Sequence, residues 1–143
     1  MSPQWLDMRI QEEQERRQKE SKTQELMPRA LEELHSQLAE CVERYKEAFG
    51  SKAADISKLD SKLRITVCDE KDGQWTPRAE VEVSLVLIPP AFKVERGGSD
   101  ALRIELGLIP GDRLSYRLAD QYLNPDDVSR HILDRALFPK LVE

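Results

Sequence analysis

The sequence predicts an α+β protein: an antiparallel meander sheet of four to five strands covered by a long amphipathic N-terminal helix, with a second helix at the C-terminus. Three observations predict it. Apolar residues recur at spacings of four and three over residues 27–48, then at spacings of two in four later segments. Asn124, Pro125, Asp126 and Asp127 then open a final helical pattern.

The first helix begins on Ser2 and Pro3, a cap residue followed by the one residue whose missing N–H costs nothing there. Residues 11–24 carry no apolar side chain. Glu12 with Arg16, Glu13 with Arg17 and Glu15 with Lys19 stand four apart, acid first, the favourable order on a solvated helix. Met27, Leu31, Leu34, Leu38, Cys41, Tyr45 and Ala48 then form a stripe wide enough to cover a sheet, and Gly50 ends it. Pro28 interrupts the pattern and predicts a kink or short break, because proline removes a helical hydrogen bond. On this reading residues 1–25 are a charged helical arm and residues 26–143 one α+β domain.

The strands follow. Leu63, Ile65 and Val67 alternate with polar neighbours, as do Val81, Val83, Leu85 and Leu87; Leu102, Ile104, Leu106 and Leu108; and Leu114, Tyr116 and Leu118. Asp72-Gly73, Gly97-Gly98 and Pro110-Gly111-Asp112 supply the turns. Pro89-Pro90 breaks the second strand, so residues 92–96 continue as a separate or bent piece. Lys62 and Arg64 can face Glu80 and Glu82 if the first two strands pair antiparallel. In the last helix Val128, Ile132, Leu133, Ala136 and Leu137 share a face, and Pro139 stops it.

Composition narrows the function. Of 143 residues, 39% are apolar and 34% charged, with a net charge of −5. Residues 1–50 carry 8 basic against 11 acidic side chains, so neither end has the basic excess that phosphate contacts need, and no nucleic acid is expected. No apolar run is long enough for a membrane span, and Met1 to Ile10 lacks the build of a secretory signal. Cys41 and Cys68 fit reduced thiols in a cytoplasmic protein.

Chemical motifs are sparse. Glu32 and His35 have the spacing of half a di-iron carboxylate site, but a single copy cannot build the cage, so no metal is expected. His131 stands at helical spacing from Asp127 and Asp134, and also simply suits the end of a helix. Neither cysteine has an activating group, and no phosphate-binding glycine loop or nucleophile elbow occurs. Lys62, Arg64, Arg103, Arg113 and Arg117 are interleaved with Glu80, Glu82 and Glu105, which reads as a mutually paired outer face. No cofactor and no catalytic set is therefore assigned.

Two apolar features remain. Trp5, Leu6, Met8 and Ile10 sit beyond the polar arm, and Val86, Ile88 and Phe92 place apolar side chains where the alternation calls for polar ones. An aromatic with aliphatic neighbours on a helical face is how a helix anchors in a groove, unless it folds back on its own chain. The expectation is a non-enzymatic interaction module, a homodimer or small homo-oligomer, with these seven residues as its contacts. The competing expectation is a ligand-binding or hydrolytic domain with a pocket between helix and sheet, using His131, Asp134 and Tyr116.

Overall fold

The computed structural model describes residues 3–97 and 100–139. Helix α1 (Gln4–Phe49) is followed by strands β1 (Ala54–Leu59), β2 (Lys62–Lys71), β3 (Gln74–Leu87), β4 (Pro90–Arg96), β5 (Asp100–Ile109), β6 (Arg113–Leu118) and β7 (Gln121–Leu123), then helix α2 (Pro125–Leu137). The seven strands form one sheet in chain order, and each pairs antiparallel with the next. The expected architecture of helix, antiparallel meander and closing helix is present. The sheet has seven strands, not four to five.

The additional strands have physical reasons. In β1, Ala54 and Ile56 lie in register with Val67 and Ile65, but the next inward position is Lys58, which breaks the apolar alternation. Lys58 is inward because its ammonium pairs with Glu32 of α1 at 2.5 Å. Strand β4 is a full partner of β3 after a reversal at Ile88 and Pro89, whose peptide bond is cis. Strand β7 is only three residues long and too short to show a period.

Helix α1 runs unbroken through Pro28, so the expected short break is absent. Its N-cap is Pro3, with no side-chain cap bond; the Ser2 expectation lies outside the described residues. Met27, Ala30, Leu31, Leu34, Leu38 and Val42 are buried against Leu63, Ile65, Val67, Val81, Val83, Val94 and Ile104 of the sheet. Helix α2 adds Val128, Ile132, Leu133, Ala136 and Leu137 to the same core. Two helices therefore cover one face of one sheet. Leu85, on the apolar side of the alternation in β3, is only half-buried, because it lines an open groove beside Pro28, Leu31 and Lys58.

The turns explain the register. Asp72 and Gly73 both take positive φ (55° and 78°), the geometry whose twist matches a two-residue hairpin. The β2/β3 register shifts at Val67 and Cys68, leaving Arg78 as the extra residue of a bulge. That bulge aims Arg78 at the end of α2, where it donates to the Ala136 carbonyl at 2.8 Å and to Asp69 at 2.9 Å. A cation thus meets the negative end of the α2 dipole. At its other end, the Asn124 side chain accepts from the Asp127 N–H at 2.8 Å, as its sequence predicts.

Candidate interaction surface

From Gln4 to Lys22 the helix buries no side chain; the first buried residue is Thr23. A helix of that length spans about 27 Å. This stretch is held by continuation rather than by packing. Docking of the later part supplies the nucleus, so each added turn needs only propagation. Surface ion pairs add small increments: Glu13 accepts from Arg16 at 2.6 Å and from Arg17 at 2.9 Å, and Arg16 also reaches Glu20 at 3.1 Å. The expected Glu13 with Arg17 pair forms, while Arg16 bonds Glu13 and Glu20. These guanidinium bonds, Arg16's first, hold the Glu13 carboxyl well below its usual range, at about 2.

Beyond these charges the apolar tip is open to solvent. Trp5 is 67% exposed, Met8 56%, Ile10 47% and Leu6 36%. The tip does not fold back on its own chain. Its Leu6 and Ile10 lie on the line of the core stripe, because steps of 3.6 residues from Leu6 pass through Ile10, Glu13, Arg17, Glu20 and Gln24 to Leu31, Leu38 and Val42, while Trp5 and Met8 share a neighbouring face.

Where the helix leaves the sheet, three turns surround it. Gln24 donates to the Leu87 carbonyl at 2.9 Å, fixing the β3/β4 turn beside the helix. Lys22 approaches Asp112 of the β5/β6 turn at 3.8 Å, and Glu32 binds Lys58 next to the β1/β2 turn. Exposed apolar side chains crown these turns: Ile88 at 73%, Leu87 at 55%, and Leu59. Val86 is half-buried on the outer face, in register with Ala91.

Phe92 does not belong to this surface. It is fully buried, stacked on Tyr116 with ring centroids 6.1 Å apart. The reversal at Ile88 and Pro89 resets the alternation, so Phe92 pairs with Leu85 and points to the core. Leu87 and Leu59 take its place among the exposed residues. Leu87 keeps the inward parity expected of it but stands at the rim of the sheet, and Leu59 belongs to a strand that alternation alone does not reveal.

Of the polar candidates, His131 and Asp134 line one surface groove of about 410 Å³ with Asp127 and Arg96, while Tyr116 and Glu32 stand elsewhere. Glu32 is engaged by Lys58, whose hydrogen bond pulls its carboxyl below the usual range. His131 is exposed on α2, and its backbone carbonyl accepts from Arg96 at 3.4 Å. Among the described residues no group of three or more His, Cys, Asp or Glu could hold a metal. Cys41 is half-buried against the core, and burial pushes its thiol up, away from the thiolate. On the outer face Glu82 pairs with Lys62 at 3.3 Å and Arg64 at 3.2 Å, Glu80 with Arg64 at 3.4 Å, and Glu105 with Arg117. The expected pairing thus forms for Lys62, Arg64 and Arg117, while Arg103 donates to the Pro89 carbonyl at 3.0 Å.

Between α1 and the sheet, the space beside Leu34, Gln37, Phe92, Tyr116 and Val128 amounts to about 40 Å³. That is the room of about one water molecule. The outlying Tyr116 edge opens instead on a shallow groove of about 480 Å³ with Leu26, Arg29, Glu33 and Asp112. No helix among the described residues is long and apolar enough to cross a membrane. The chain matches no family model, no curated protein and no solved structure. Its own surface is what bears on function.

Proposed function

We propose that the chain is a non-enzymatic protein-interaction module that self-associates through its N-terminal helix, as a homodimer or small homo-oligomer. The carrying observation is the exposed cluster of Trp5, Leu6, Met8 and Ile10, held about 20–27 Å beyond the first buried residue of the helix. Solvent contact of a tryptophan and three aliphatic side chains forgoes a large burial gain, and such residues concentrate interface energy. Residues 1–25 act as the arm and residues 26–143 as the body that carries it. The complementary apolar surface is the turn bearing Leu87 and Ile88, with Val86 beside it. The two free thiols suit a reducing, cytoplasmic setting.

Light scattering on the full chain and on a variant lacking residues 1–19 tests this. The full chain is expected to show at least a dimer mass and the truncated one a monomer mass, with a Trp5→Ala and Ile10→Ala double variant reproducing most of the shift. Equal masses for all three would overturn the reading.

A further inference from the structure

The arm's charges are segregated along its length. Residues 11–15 carry three acids and no base, whereas residues 16–22 carry four bases and one acid. Two arms laid parallel would set acid on acid and base on base. Laid antiparallel, each block meets its opposite, and the helix dipoles also oppose.

The geometry supplies a register. The face that continues the core stripe is covered from Thr23 onward and buries no side chain before it. A second arm lying on that open stretch is stopped by the end of the sheet, at the β3/β4 turn that Gln24 holds through the Leu87 carbonyl. A tip at Leu6 stopped level with Thr23, the first buried residue, places the two-fold axis midway, between Gln14 and Glu15. The acidic block ends and the basic block begins immediately beside it. In an antiparallel pair, residues on the same flank face each other. With this axis Arg9 stands level with Glu20, and Glu13 with Arg16, so both flanking contacts join opposite charges. The length of the free helix and its charge pattern independently select one arrangement.

We propose that two copies of this chain pair their arms antiparallel about an axis between Gln14 and Glu15, so that the Leu6 end of each arm seats on the Leu87 and Ile88 turn of the other. This rests on the self-association proposed above and adds its direction and its receiving surface. It is a closed, isologous contact in which each copy gives a tip and receives one.

Disulfide trapping tests it. In a Cys41→Ser, Cys68→Ser background with unchanged melting and mass, Arg9→Cys and Glu20→Cys are made as two separate proteins. Each is oxidised alone and after mixing and exchange, and light scattering is run in parallel. The expected result is a cross-linked dimer in the mixture, up to the statistical share of heterodimer, and almost none in either protein alone. Equal helix positions in the antiparallel pair lie about 16 Å apart along the axis, too far for a disulfide. Self-cross-linking of Arg9→Cys alone means parallel arms; it overturns this inference and leaves self-association standing. A dimer mass without any cross-link overturns it as well. A monomer mass throughout removes both proposals.

Discussion

The Gln24 side-chain amide donates to the Leu87 carbonyl at 2.9 Å, across 63 residues of chain, and marks where α1 stops being a lid and becomes a free arm. A truncation that ends before Gln24 should therefore leave the body intact. Loss of residues 1–19 is expected to leave the urea midpoint of the monomer within experimental error. Gln24→Ala, which removes an exposed bond, should cost at most about 1 kcal/mol.

Core truncation should be expensive where the lid meets the sheet. Leu38 is fully buried between α1 and the strands. Leu38→Ala is expected to cost about 2–5 kcal/mol in equilibrium urea unfolding, the range for a buried leucine whose cavity does not collapse. Leu85→Ala, on the open groove, should cost visibly less.

Gly50 ends α1 at φ 122° and ψ 151°, a conformation essentially reserved for glycine. A Cβ there would also meet the Trp75 ring at 3.2 Å. Gly50→Ala is expected to destabilise by about 1–3 kcal/mol from the backbone alone. Adding Trp75→Ala should not restore the loss, and thermal melts of the single and double variants would show this.

Acid should loosen the arm through Glu13. Its folded-state value lies near 2, below the 4.5 of an unpaired carboxyl, so its contribution is complete above about 4.5 and is lost as pH falls toward 2. NMR titration of the Glu13 carboxyl should find the low value, and Arg16→Gln should raise it. An ordinary titration in the full chain would contradict the guanidinium geometry. The shift reports local pairing, since the group is fully exposed.

Alkali should act on the body through Tyr116. Burial, and then the charge of Glu33, push its phenol above 10. The unfolded chain releases that proton first, so stability falls as pH rises past about 10. Tyr116→Phe should flatten this part of the pH profile in guanidinium unfolding, and Glu33→Gln should lower the phenol's own titration.

Much of the fold was legible because its signals are local. The 27–48 stripe, four alternating strands, the Asp72-Gly73 turn and the Asn124 cap are each written within a few residues. Even one long-range fact, the pairing of β2 with β3, shows in the opposition of Lys62 and Arg64 to Glu80 and Glu82. What failed depended on partners distant in sequence. Lys58 hides β1 because its reason, Glu32, is on another element. Phe92 changes face because a reversal at Ile88 and Pro89 intervenes, and the bulge that turns Arg78 toward α2 leaves no mark in the alternation. The arm's apolar tip and Ile88 were readable in the sequence, whereas Leu59 and Leu87 beside them required the turns to be placed around the helix.

The chain-order sheet also has a consequence for how the protein is made. Every strand finds its neighbour across a reversal of a few residues, so the meander can zip up one hairpin at a time with little loop-closure entropy. Helix α1 is the exception. It is synthesised before every strand it covers, and it binds α2 only through contacts such as Gln37 with the Pro125 carbonyl, 88 residues later. Until then the stripe of Met27, Leu31, Leu34, Leu38 and Val42 has nothing of its own to lie against. On the ribosome the helix is a newborn amphipath, and the time in which it can meet another nascent copy or a chaperone is set by translation of the whole sheet.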